Sequence, residues 1–474
     1  MTYYAAGDNA RIAVPPMSQH CLRVALAVAL TSSGIAAAQP AEQPAQPFPA
    51  PEFATRQAQP TEQPPTNLAF WFGHVESDNI ARTATPEDGS YESLGLLADF
   101  ARNSQRFDAD IHADLESRSY SLDTLDSEIV GTLNAGAAVH IIPQRFSWEF
   151  NDYHGQGITD PYAAIGPGNR EQLNVFTTGP SVDLPLGART SLELGATLSR
   201  RRFDETAVDS DSKLTEIGVH RQTSTTARLG LVVSTDKVEY VDVLAPEYDI
   251  DKLLVRYEKQ LATGRVRADV GTNEISTGNF KSDGPLYYFI WTRSLTSRSG
   301  LSVRAGQELT DAGGALIEGL NPGLEGSSFP DVVVTPSPLE QRRLSVSYEL
   351  AMSRTTVNAG IGSYADDYFS GNAADNDWKT LHLSALRTIS PKLNVGLDYD
   401  RVDREFGDIT QPDSTDSWTG LWVNRAIGQR LFFGVVILMY DRSSVDSYDE
   451  LRYELRFGYT PTRSQARAMA SAGR

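Results

Sequence analysis

Two groups of residues have side chains suited to chemistry. His382 and Ser384 alternate on one face of a short run, a base and a hydroxyl that together suggest hydrolysis. A serine nucleophile needs its base within hydrogen-bond reach, whereas strand residues two apart sit about 7 Å from each other. Asp108, Asp110 and Asp114 offer the carboxylate oxygens that calcium takes. They lack the glycine-bearing loop that folds such ligands around an ion. The loop clusters Asp366-Asp367 and Asp375-Asn376-Asp377 are open to two readings, solvated loop charges or sites for divalent ions shared with surface lipopolysaccharide. The other histidines, His20, His74, His112, His140, His154 and His220, belong to no metalloprotease pattern, and neither a GxSxG elbow nor a phosphate-cradling loop occurs. A single cysteine, Cys21, excludes an internal disulfide and a cysteine-built zinc site. The expectation is a non-enzyme with no catalytic residue, metal or cofactor.

The elements that carry these residues alternate with period two. Leu393, Val395, Leu397 and Tyr399 oppose Asn394, Gly396, Asp398 and Asp400, and Phe107, Ala109, Ile111, Ala113 and Leu115 oppose Asp108, Asp110, His112, Asp114 and Glu116. Leu192, Leu194, Ala196 and Leu198 oppose Ser191, Glu193, Gly195 and Thr197. The same holds around Val266 to Gly271 and Arg343 to Leu350. These are strands with one apolar face. Their runs of roughly 10 to 14 residues exceed the ~5 to 6 of globular strands and match the ~9 to 11 that cross a bilayer at a tilt.

Composition agrees with that reading. The 474 residues carry a net charge of −19 and a mean hydropathy of −0.33, and no apolar stretch is long enough for a membrane helix. An acidic chain lacks the clustered Lys and Arg that nucleic acid requires. Tight turns at 262–265, 297–299, 353–354, 390–392 and 428–430 alternate with longer polar segments near 77–90, 155–169, 203–212, 276–284, 310–340 and 406–415. This is the outer-membrane rule of short periplasmic turns and long external loops. The fold expected is therefore all-β, a single transmembrane antiparallel barrel of about 20 strands, with 16 to 20 allowed. Aromatic girdles are expected from Phe146, Trp148 and Phe150, from Tyr287, Phe289 and Trp291, and from Trp418 and Trp422. The last strand points Tyr453, Leu455, Phe457 and Tyr459 outward and Glu454, Arg456 and Gly458 inward.

The pore-lining candidates follow from the polar faces: Asp108, Asp110, His112, Asp114, Glu116, Glu193, Arg267, Asp269, Arg304, Arg343, Asp398 and Asp400. Acid predominates, and an acidic low-dielectric channel concentrates cations. Such a lining suits neutral polymers or cations better than a heavily uronate-bearing polysaccharide, and hydroxyl-rich sugars would use Asp, Asn and Arg hydrogen bonds with Tyr or Trp stacking, at positions the sequence does not locate.

Residues 1–38 read as a signal peptide: Arg23 precedes the apolar run from Val24 to Leu30, and Ala36-Ala37-Ala38 ends it, with Met17 an alternative start. Eight prolines among the 28 residues from Gln39 to Thr66 make 39–66 a disordered periplasmic linker. The barrel is expected over 67–460, with a tail at 461–474. Export and strand pattern together place the chain in the bacterial outer membrane. The expected partners are outer-membrane lipid and lipopolysaccharide, the barrel-assembly machinery, and polysaccharide with periplasmic export components; nucleic acid is not among them.

The stretch from about 145 to 212 is motif-like. Asp160-Pro161, Asn169-Arg170-Glu171, Asn174, Thr178-Gly179-Pro180, Leu184-Pro185-Leu186-Gly187, Gly195, Phe203 and Asp211-Ser212 resemble the β-barrel porin family found in exopolysaccharide and exosortase/PEP-CTERM gene clusters. The resemblance implies an outer-membrane barrel that serves as a channel or accessory for exopolysaccharide export or assembly; the alternatives are a general diffusion porin for small solutes and a barrel-embedded hydrolase. It brings no catalytic residues with it. Physically, Asp160, Pro161, Asn169, Arg170, Glu171, Gly179 and Pro180 belong to a loop and the hairpin beyond it; Arg170 and Glu171 either line the mouth of the pore or pair with neighbouring strands, and turn and register chemistry suffices for the motif without a ligand.

Overall fold

The protein is described from a computed structural model over residues 67–160, 162–204, 209–241, 247–278, 280–311, 337–369, 375–408 and 411–461. The segments expected to be signal peptide and linker, nearly all of the tail, and residues 312–336 of the expected 310–340 loop lie outside the described residues.

Twenty strands make up the fold. The first ten are β1 (Asn67–Ser77), β2 (Gly89–Asn103), β3 (Phe107–Tyr120), β4 (Glu128–Ile142), β5 (Phe146–Ile158), β6 (Arg170–Pro185), β7 (Thr190–Phe203), β8 (Ser210–Ser224), β9 (Ala227–Tyr240) and β10 (Tyr248–Leu261). The chain continues through β11 (Gly264–Thr277), β12 (Phe280–Thr296), β13 (Ser299–Thr310), β14 (Leu339–Ala351), β15 (Thr355–Tyr368), β16 (Asn376–Ser390), β17 (Leu393–Phe406), β18 (Ser414–Ile427), β19 (Leu431–Ser443) and β20 (Tyr448–Tyr459). A short 3₁₀ turn, Pro167–Asn169, interrupts the connection before β6. Each strand pairs antiparallel with its sequence neighbours, and β1 pairs with β20, so the sheet closes on itself. Closure leaves no open edge, which is the condition for strands to stand in lipid.

The alternation sorts side chains to two surfaces. Outward rows are apolar: Leu397 is 50% exposed on β17, and Tyr453, Leu455 and Phe457 are each about half exposed on β20. Four such alternate residues cover roughly 20 Å along a strand, close to the ~25 Å apolar band of outer-membrane barrels. Past the band the outward row of β17 becomes Arg401, Asp403 and Glu405, with Lys379 of β16 reaching Glu405 at 2.8 Å. A closed antiparallel barrel with an apolar belt and a charged collar is a β-barrel of the bacterial outer-membrane type.

Connections after even-numbered strands run two to four residues, whereas those after odd-numbered strands run to eleven at 78–88 and 159–169 and to 28 at 311–338. Both ends of the barrel therefore lie on the short-turn side. The expected loop at 276–284 is instead the two-residue connection 278–279, because β11 and β12 continue to Thr277 and from Phe280. Polar strand ends that rise above the belt look like loop in a sequence.

The aromatic girdles need one correction. Phe146, Trp148 and Phe150 on β5, and Tyr287, Phe289 and Trp291 on β12, share outward rows. Trp418 and Trp422 do share a row, but it is the inner one, where they are 2% and 3% exposed. Their register partners are Asp400 and Gly396 of β17. Glycines make room for such rings: a Cβ at Gly396 would stand 1.9 Å from the Trp422 ring, and one at Gly95 equally close to Trp71. The rings lie flat on the inner wall instead of projecting into the lumen.

Candidate functional site: the barrel lumen

Ring order decides which walls face each other, since strands ten apart in a closed ring of twenty stand opposite. On one side β3 presents Asp108, Asp110, His112, Asp114 and Glu116 inward, with Asp99 of β2 and Glu149 of β5 beside them. His112 Nδ1 lies 2.6 Å from Asp99, and His140 Nε2 lies 2.8 Å from Asp108. Opposite stand Arg267 and Asp269 of β11, Arg304 of β13 and Arg343 of β14, joined by Arg265. Arg228 of β9 and Arg256 of β10 extend this wall. Asp269 is held between Arg267 at 2.8 Å and Arg256 at 3.2 Å. The charges are thus segregated into an acidic wall and a basic wall rather than spread as a uniform acidic lining. Glu193 of β7 links the two arcs, 3.2 Å from His220 and 2.9 Å from Arg228, which also pairs with Glu258.

A third sector, β15 to β20 with β1, is packed. On β20 the inward row alternates Glu450, Arg452, Glu454 and Arg456, all buried. Arg452 pairs with Glu450 at 2.7 Å, Arg456 pairs with Glu454, and Arg456 also lies 3.8 Å from Glu116. On the neighbouring strands Asp416 receives Arg404 at 2.8 Å and Arg442 at 2.9 Å. Buried charges persist only when so matched.

Against this sector folds the 159–169 connection. Ile158 and Ile165 join Trp378, Val402, Trp418, Trp422, Val436 and Leu438 in one apolar cluster, although β5 and β16 to β19 lie on separate arcs of the ring. Two arginines hold the backbone of the loop: Arg442 donates to the Tyr162 carbonyl at 2.6 Å and Arg82 to the Ile165 carbonyl at 2.6 Å. The Tyr162 ring meets Phe406 at 4.7 Å between centroids. Arg82 sits in the 78–88 connection, bonded to Glu450 at 2.7 Å and 3.7 Å from the centre of the Tyr440 ring. Its φ of +56° is in the left-handed region, which costs a non-glycine residue on the order of 1 kcal/mol. Burial opposes the charge of Arg82, but Glu450 outweighs it and holds the guanidinium pKa above its ordinary value. Burial, with Asp408 and Asp160 nearby, raises the Tyr162 phenol.

The motif residues build this loop. Asn169 Oδ1 accepts from the Thr159 hydroxyl at 2.9 Å and the Asp160 amide at 2.8 Å, while Nδ2 donates to the Asp160 carbonyl at 2.7 Å and the Ala164 carbonyl at 3.2 Å. Arg170 reaches Glu128 at 3.0 Å, and Glu171 is buried at 1% exposure. Pro161 is outside the described residues. At Gly179 a Cβ would meet the Ala196 carbonyl at 1.7 Å, and the β6–β7 ladder passes over Gly179 and Pro180. Asp160 and Asn169 thus hold the loop's backbone, while Gly179 and Pro180 line a cavity with Glu149, Glu193 and Glu216.

His382 and Ser384 have different partners. His382 Nδ1 lies 2.7 Å from Asp400, and Ser384 accepts from Asn358 at 3.2 Å. No group of three or more metal-ligating side chains occurs among the described residues. Asp398 accepts from the Trp422 indole at 2.7 Å, whereas the indole N–H groups of Trp378 and Trp418 find no acceptor among the described residues. A buried donor left so costs about 1–3 kcal/mol.

No family model and no curated protein matches this chain. Solved structures similar to it include Pseudomonas aeruginosa OccK2 (OpdF) in complex with glucuronate, at 12% identity and a TM-score of 0.35, over 84% of this chain and 98% of that one. A BenF-like porin from Pseudomonas fluorescens Pf-5 is similar at 11% identity and a TM-score of 0.35, over 84% and 99%. OmpT of Vibrio cholerae is similar at 10% identity and a TM-score of 0.33, over 83% and 98%.

Proposed function

We propose that this barrel is a gated outer-membrane channel whose particular role is the export or assembly of exopolysaccharide. The observation that carries the gated channel is the 159–169 loop, braced inside the lumen by Arg82 and Arg442. The motif-like residues 145–212 support the polysaccharide role, since they resemble barrels of exopolysaccharide gene clusters. A polymer strand would pass between the acidic and basic walls and beside the loop. Deleting the gene tests this role: reduced or shortened secreted polymer is expected, and unchanged amount and length would end it.

A second reading, a general diffusion porin for small solutes, is favoured by the facing acidic and basic walls. A transverse field of that kind orients dipolar solutes and sorts ions by charge. Swelling of reconstituted liposomes in small sugars and amino acids separates the readings, because a polymer channel closed by its loop admits them slowly. As further partners we propose lipopolysaccharide, held at the charged collar above the belt, and the barrel-assembly machinery, reading the aromatic outward row of β20.

A further inference from the structure

We propose that the inner face of β15 to β19 beneath the 159–169 loop is a binding track for a neutral, hydroxyl-rich glycan, and that the loop is its resident occupant, displaced when the glycan binds. This rests on the channel reading and names the ligand class of that same lumen.

The rings are arranged as a surface. Tyr364 and Trp378 stack at 5.2 Å with planes only 11° apart, and Trp418 adjoins Tyr440 at 6.3 Å. Gly396 and Gly420 let Trp422 and Trp418 lie flat on the wall. Flat rings accept the C–H face of a pyranose, and a sugar ring brings hydroxyls at its edge. The Trp378 and Trp418 indole donors, 3% and 2% exposed, have no acceptor among the described residues. A glycan hydroxyl supplies one.

Charge argues for a neutral ligand. Along this face Asp416 is matched by Arg404 and Arg442, Asp400 lies 2.7 Å from the His382 imidazole, and Asp398 takes the Trp422 donor. A uronate would bring a further negative charge beside three carboxylates.

The loop itself shows what the face accepts. It offers carbonyl oxygens of Tyr162 and Ile165 to Arg442 and Arg82, and an apolar side chain, Ile165, to the tryptophans. A glycan chain presents the same alternation of oxygen acceptors and C–H surface, so it can replace the loop bond for bond.

The test uses the full chain, reconstituted in planar bilayers and, separately, in detergent for tryptophan fluorescence, with cellohexaose, maltohexaose and an oligogalacturonate hexamer as probes. Expected are reversible current interruptions and a fluorescence change with a neutral hexamer, and a weaker response to the uronate. Ile165→Ala, which loosens the occupant, should tighten sugar binding about tenfold or more. Trp418→Phe, which keeps a ring and removes the donor, should weaken it several-fold. Conductance without any response to the neutral sugars, a stronger response to the uronate, or affinity unmoved by both variants would overturn the track while leaving the channel standing. A fluorescence response without conductance would uphold the track and refute the channel.

Discussion

Replacing Arg82 with Ala tests the brace directly. The change removes the bond to the Ile165 carbonyl, the pairing with Glu450 and the contact with the Tyr440 ring. Only the first of these touches the 159–169 loop. A hydrogen bond from a charged donor contributes about 1.5–3 kcal/mol, so the closed-to-open ratio of the loop should fall roughly 10- to 150-fold. The barrel should survive, because Glu450 keeps Arg452 at 2.7 Å and the Ser77 hydroxyl at 2.6 Å. What remains is one bare carboxylate oxygen, about 1–3 kcal/mol spread over a twenty-strand sheet. Arg82→Gly adds a control: it relieves the left-handed backbone at φ +56° and loses the same contacts, so it should open the loop as far as the alanine does. Single-channel recording gives open and closed dwell times, and heat-modifiable gel mobility verifies the fold. A folded Arg82→Ala channel with wild-type dwell times would refute the brace.

Other perturbations separate lipid-facing, luminal and packing roles. Leu397→Arg, at the middle of the outward row, should cost about 2–4 kcal/mol in urea unfolding from liposomes. Asp110→Asn with Asp114→Asn should lower cation preference in the reversal potential across a salt gradient. Arg304→Gln with Arg343→Gln should raise it, and shifts of the same sign from both pairs would contradict the acidic and basic walls. Gly396→Val places a side chain where the Trp422 ring lies, 1.9 Å from its would-be Cβ, and should lower the yield of heat-modifiable barrel in refolding assays.

Period-two alternation made the barrel legible, because in lipid every strand must turn apolar residues outward and a one-residue slip would invert them all. The rows of β3, β17 and β20 could be assigned from sequence alone for this reason. Trp418 and Trp422 went astray because large aromatics suit both a girdle and an inner wall. The deciding signal was local: their row also carries Asp416, Gly420 and Asn424, while Leu421 and Val423 hold the other. The inward fold of 159–169 had no comparable signal. It depends on Arg82 and Arg442, 83 and 280 positions away from their acceptors in the chain, and on rings of β16, β17 and β18. The opposition of acidic and basic walls likewise emerges only once ring order is known.

The seam between β1 and β20 bears on how such a chain reaches its native state. It has eight paired positions, from Phe70 opposite Tyr459 to Ser77 opposite Arg452, against fourteen between β16 and β17. Its two halves come from opposite ends of the barrel sequence, so ring closure waits until the last strand has been delivered. Until then two raw strand edges stand open, ready to pair with any extended chain they meet. The molecule is therefore most vulnerable to aggregation when nearly complete, and the shortest seam is the one that ends that vulnerability.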